Sequence, residues 1–138
     1  MSDDNLNQEW ALLQTQYDSY EKYSLLIKLI HLFFAGLVVT FGSVPMSVVF
    51  IALSFWLQDG IWKTFQSRIE KRLLRLEHLI GLKQEIDEET TNQAFQFNSQ
   101  FLQNRGSHKE LIKEYIKNAL KPTVAFPHVI LVFILMIV

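Results

Sequence analysis

The sequence predicts an all-α membrane protein, built as a transmembrane helical hairpin with cytoplasmic helical extensions and a third, C-terminal membrane helix. Three observations predict it. Over residues 24–57 the only formal charge is Lys28. The run Gly42-Ser43-Val44-Pro45 interrupts that stretch near its middle. A second apolar stretch, residues 124–138, is broken only by His128. Hydrophobic residues make up 49% of the chain, an ordinary share, so their concentration in two places carries the argument. The chain reads as one unit: a cytoplasmic helix over 1–24, the hairpin over 25–57, cytoplasmic helices and a loop over 58–123, and a membrane segment over 124–138.

In the first element, Leu6, Trp10, Leu13, Tyr17, Tyr20, Ser24 and Ile27 alternate by four and three residues. That is a heptad seam leading into the membrane, a packing surface and a coiled-coil contact between copies. Ser2, Asp3, Asp4 and Glu9 make the start acidic, whereas a secretory peptide opens with positive charge, so the apolar run is expected to be a retained anchor.

As one straight helix, residues 24–57 would be about 50 Å long against a hydrocarbon core of roughly 30 Å. The stretch must therefore fold back, with a first span over about 25–41 and a second over about 45–57, running on toward Trp62. Apolar runs of this length also occur as buried hairpins of soluble proteins. These two are apolar all round, which favours lipid. Lys63, Arg68, Lys71, Arg72 and Arg75 follow the second span while the turn is uncharged, so the N-terminus is expected in the cytoplasm. Tyr20, Tyr23, Trp56 and Trp62 would form an aromatic belt at the same face.

Past the hairpin, Phe65, Ile69, Leu73, Leu76 and Ile80 form a second stripe, placed to pack on the first seam. Glu85-Ile86-Asp87-Glu88-Glu89 lacks the alternating ligands and glycine of a calcium loop and reads as a solvated helix end. Residues 90–106 are rich in Gln, Asn, Thr and Ser. They predict a loop with a poorly formed helix or short strand, its Phe95, Phe97 and Phe101 packed on the bundle or dipping into the lipid interface. Ser107 with Glu110 makes a capping box opening an amphipathic helix. Its Lys109, Lys113, Lys117 and Lys121 recur every four residues, a row suited to an anionic membrane surface or to solvent over a packed helix. Pro122 ends that helix, and the apolar segment after it spans about 22 Å if helical, as a third crossing or a re-entrant segment.

The chemistry is bounded by absences. Net charge is −1, so nothing points to nucleic acid. Cysteine is absent, and no phosphate loop, nucleophile elbow or paired metal-ligand motif occurs. His31, His78, His108 and His128 lie on different segments, so no metal, cofactor or enzymatic activity is expected. The unusual feature is polar residues within the spans. Ser24, Lys28, His31 and Ala35 share a face of the first, and Ser47, Ser54 and Gln58, beside Asp59, share a face of the second. Lys28, His31, Ser54, Gln58 and Asp59 are thus the candidate intramembrane polar face. Lys28 either snorkels or pairs with Asp59 at similar depth. His31 is either hydrogen-bonded within the hairpin or lines a water path between subunits.

An N-terminal amphipathic helix, a short two-helix hairpin and a long basic helix after it resemble the layout of SLATT-type small membrane proteins of bacterial conflict systems. The likeness covers about residues 10–80. The stretch Phe55-Trp56-Leu57-Gln58-Asp59-Gly60, with Arg68, Glu70 and Arg72, also looks like the exit of the second span in small bacterial membrane proteins. The resemblance implies an oligomeric effector of a defence system that forms pores or perturbs the membrane when a partner senses infection. Two expectations follow for a multi-pass protein of the inner cell membrane in contact with lipid. One is a homo-oligomeric pore; the other is a non-conducting anchor or adaptor that recruits a cytoplasmic protein, as an exclusion or assembly factor would.

Overall fold

A computed structural model describes residues 2–42, 45–82, 94–103 and 105–137. Within them the chain is all-helical: α1 Ser2–Phe41, α2 Met46–Leu82, α3 Phe97–Gln103, α4 His108–Ala119 and α5 Pro122–Ile137. Ser43, Val44, the acidic run from Glu85 to Glu89, and Val138 lie outside the described residues.

The heptad seam and the apolar run join without a proline between them, so α1 continues unbroken for 40 residues, about 60 Å. It ends at Gly42, whose φ of 67° is the left-handed conformation a C-terminal glycine adopts without a Cβ clash. Its N–H donates to the Val38 carbonyl at 3.2 Å. Pro45, with no N–H to lose, precedes α2, and its carbonyl accepts from Val48 N at 2.9 Å. α2 returns beside α1 for 37 residues. α5 lies against both helices, whereas α4 packs on α2. The Ser107 capping box at the start of α4 is fully formed.

The described residues form two apolar cores. The first joins Leu6 and Leu13 of α1 to Ile69, Leu73 and Leu76 of α2, with Trp10, Tyr17, Tyr20, Ile80 and Phe97 packed around it. The second joins Ala35, Ala52, Leu131 and Leu135, one layer each from α1 and α2 and two from α5. Around this second core the outward faces are apolar and uncovered: Phe33 is 69% exposed, Phe50 64% and Phe133 63%. By length and composition α1 is able to cross a membrane, and α4 with α5 passes the same test as a pair bent by 72°. In α2 the apolar run stops at Gln58-Asp59.

Two sequence expectations are refined. Residues 97–103 form a regular short helix, and no strand occurs among the described residues. Phe65 sits at the edge of its stripe, 38% exposed, beside the Arg68 guanidinium. The polar half is also fastened by charges. Arg72 holds Glu9 in a buried bidentate pair at 2.8 and 2.9 Å, and Phe95 N donates to the same carboxylate at 2.5 Å. This links α1, α2 and the chain entering α3.

Leu13 is 8% exposed and its neighbour Leu12 is 65% exposed. Leu13→Ala should therefore destabilise the fold by about 2–3 kcal/mol, while Leu12→Ala should change it by less than about 0.5 kcal/mol. Thermal unfolding in detergent reads the difference, and equal shifts would mean that α1 does not bury this seam.

Candidate functional site

Between the two cores lies a layer of buried polar groups. Ser24, Lys28, His31 and Ala35 recur every three or four residues, which puts them on the one face of α1 that meets α2 and α5. Ser24, His31, Asp59 of α2 and His128 of α5 are each no more than 1% exposed. A buried carboxylate has to be paired and hydrogen-bonded. Asp59 has three donors. The Ser24 hydroxyl donates to one carboxylate oxygen. Lys28 Nζ stands 3.2 Å from the other, which also faces His128 Nε2 at 3.1 Å. Lys28 in turn donates to Ser24 Oγ at 2.8 Å.

The chain of contacts continues to the second histidine. His31 Nδ1 and His128 Nδ1 are 2.6 Å apart. The two rings are tilted by only 20° with centroids 4.9 Å apart, so they meet edge to edge through these nitrogens rather than face to face. That is the geometry of an in-plane N–H···N hydrogen bond. The carboxylate then assigns the tautomers. His128 Nε2–H donates to Asp59, which leaves His128 Nδ1 as an acceptor. His31 Nδ1–H must supply the proton between the rings. His31 Nε2 is consequently a lone acceptor, and it is buried with no hydrogen-bond partner among the described residues. Phe55 lies beside the ring, at 5.2 Å between centroids. With both imidazoles neutral, the Lys28 and Asp59 charges cancel.

Below this layer the polar contacts continue along α2. Trp56 Nε1 donates to the Ala119 carbonyl at 2.9 Å, and Asn118 donates to the Thr64 hydroxyl at 3.2 Å. A Cβ on Gly60 would lie 2.8 Å from the Ala119 side chain, so glycine permits this close α2–α4 approach. Glu21 accepts from Gln66 at 2.5 Å and pairs with Lys63 at 3.1 Å. The Gln66 bond, then Lys63, hold its carboxyl below the usual range against the opposing effect of burial.

Of the residues singled out in the sequence, Lys28, His31 and Asp59 meet in this layer. Ser54 and Gln58 do not. Ser54 is exposed, its hydroxyl returned to the Phe50 carbonyl at 2.9 Å, and Gln58 is exposed on the outer side of α2. The seam residues Leu6, Trp10, Leu13, Tyr17 and Tyr20 are covered by α2 of the same chain. Tyr20 and Tyr23 also pack against Trp62 at 5.1 and 5.4 Å. Lys109, Lys113 and Lys117 are exposed, and Lys121 is half-buried where α4 meets α5. Sequence reasoning set His128 aside as one of four scattered histidines. The signal available was its isolation in an otherwise apolar segment, where an unpaired imidazole would be costly. Among the described residues, no group of three His, Asp or Glu converges in a metal-holding arrangement.

Comparison with protein-family models, curated proteins and solved structures finds no match, so the geometry is what speaks to function. Chemically, the site can hold a charge pair out of water and pass a proton change at His31 along two hydrogen bonds to Asp59.

The pair should behave as a unit. Asp59→Asn leaves Lys28 without its counter-charge and should cost about 3–5 kcal/mol. Adding Lys28→Met should restore part of that loss, with a coupling of about 0.5–3 kcal/mol in a double-mutant cycle of thermal stability. Strictly additive single effects would mean that the two charges do not interact.

Proposed function

We propose that this chain is a multi-pass protein of the cell membrane, its N-terminus cytoplasmic, acting in the described conformation as a non-conducting anchor or adaptor with a cytoplasmic helical head. One observation carries the reading: the ionisable groups of the apolar half are turned inward and paired within one chain, while its outward faces, largely apolar, carry no ionisable side chain among the described residues. Such a surface suits lipid or the same face of another copy, so the protein is expected to be a homo-oligomer in the bilayer. A pore lined by the Lys28–His31 face would require that face to leave α2 and α5. Beyond His31, moreover, Ala35, Ala52, Leu131 and Leu135 close the bundle with apolar side chains.

Lengths agree with this placement. His31 lies ten residues before Phe41, about 15 Å along the helix, which is half of a roughly 30 Å hydrocarbon core. The cations Lys63, Arg68, Lys71, Arg72 and Arg75 follow on the cytoplasmic side. On α4, Ile112, Ile116 and Leu120 are 58%, 55% and 60% exposed beside the lysine row, a face suited to the anionic leaflet.

A second reading keeps the pore-forming defence effector to which the layout is similar, and His31 Nε2 favours it. A proton accepted there would put an uncompensated positive charge among α1, α2 and α5, a reason for the bundle to rearrange.

Reporter fusions at Met1 and within residues 90–106 should give the same cytoplasmic signal; opposite sides would refute the hairpin. In liposomes with entrapped dye, the adaptor reading expects no release at any pH between about 5 and 8. Release on acidification that His31→Leu abolishes, in protein still inserted, would replace it with the gated pore.

A further inference from the structure

We infer that the polar half carries a binding site for a small, water-soluble phosphorylated ligand with two or more phosphate charges, in a recess between α2, α3 and the start of α4. The recess has a volume of about 260 Å³. Five cations line it: Arg68, Lys71, Arg72, Arg75 and Arg105. Among the described residues, the one carboxylate on its wall is Glu114.

Those cations do different work. Arg72 is committed to buried Glu9, with a further bond to Gln100 at 3.0 Å. Arg68 holds Glu114 at 2.8 Å and lies 4.8 Å over the Phe101 ring. These two are fixed walls. Lys71 only shares Glu114 at 3.5 Å, with a side chain 72% exposed. Arg75 reaches just the Gln100 carbonyl oxygen at 3.3 Å. Among the described residues neither Arg75 nor Arg105 has a carboxylate within ion-pair distance. Among the described residues, the recess therefore concentrates more positive charge than its acids neutralise. Guanidinium forks match phosphate oxygens two at a time, so a multivalent phosphate is the anion this arrangement fits.

Position separates a soluble ligand from a lipid headgroup. The recess cations of α2, from Arg68 to Arg75, lie six to thirteen residues beyond Trp62 on one continuous helix, about 9–20 Å along its axis. The headgroup zone on each side of a bilayer is only about 5–8 Å thick. The choice of a soluble ligand rests on the membrane placement proposed above, but not on whether the apolar half conducts.

Calorimetric titration of the full chain in neutral detergent with ATP and with inorganic pyrophosphate tests it. Saturable binding with Kd below about 1 mM is expected for both, weakening at higher salt. Arg75→Gln with Arg105→Gln should reduce the affinity by about tenfold or more at unchanged Tm, while Lys113→Gln on the outer side of α4 should leave it alone. Absence of binding at that concentration would overturn the site. Binding that Lys113→Gln lowers as much as the paired arginine changes would reduce it to general surface charge. Binding confined to vesicles containing phosphatidylinositol bisphosphate would assign the recess to a lipid and refute the soluble ligand.

Discussion

The structure depends on one carboxylate. Asp59 sits where three helices meet, completely buried, in a part of the molecule whose outer surface is largely apolar. A lone ion there would be prohibitive, and Ser24, Lys28 and His128 come from two other helices to stabilise it. Satisfying that carboxylate fixes the register of α1 against α2 and the depth to which α5 runs. The second histidine then follows, because His128 must point Nε2 at the carboxylate and present Nδ1 to His31. Burying ions in this way adds little net stability compared with apolar side chains of the same size. What it confers is a single arrangement of three otherwise greasy helices.

The polar half solves the same problem with different means. There Glu9 and Arg72 form a bidentate pair beneath an ordinary leucine-rich core, and α4 is drawn onto α2 by the missing side chain of Gly60 and by Trp56, Thr64 and Asn118. Because α1 and α2 run through both halves without a break, the two layers are mechanically continuous. A change at the cationic recess and a change at the His31–His128 contact act on the same pair of helices. That continuity is the physical basis on which the polar half would sense or influence the apolar half.

Much of this was legible in the sequence. The heptad spacing of Leu6, Leu13 and their neighbours, and the stripe through Ile69, Leu73 and Leu76, determine which faces of two long helices can meet, since apolar periodicity is a local property. The Lys28–Asp59 contact was one of two readings, argued from the similar distances of the two residues from Tyr23 and Trp62, and the Ser107 box announced α4. Three features were not legible. His128 reaches the layer only because α5 turns back beside α1 and α2, a tertiary relation that no local pattern encodes. Ser54 and Gln58 share a helical face with each other, yet Asp59, one residue on, is rotated about 100° from Gln58 and is the side chain that turns inward. Glu9 read as part of an acidic start; its burial depends on Arg72, 63 residues away.

The contact between the two imidazoles tests this account most directly, because no other packing of the three helices would create it. In protein labelled with ¹⁵N at histidine and reconstituted in lipid, solid-state NMR can detect a scalar coupling between nitrogens that share a proton. The account predicts a coupling between His31 Nδ1 and His128 Nδ1, with His128 carrying its own proton on Nε2, and loss of that coupling in Asp59→Asn as His128 is released. Two imidazoles with no mutual coupling, unaffected by the change at Asp59, would contradict it.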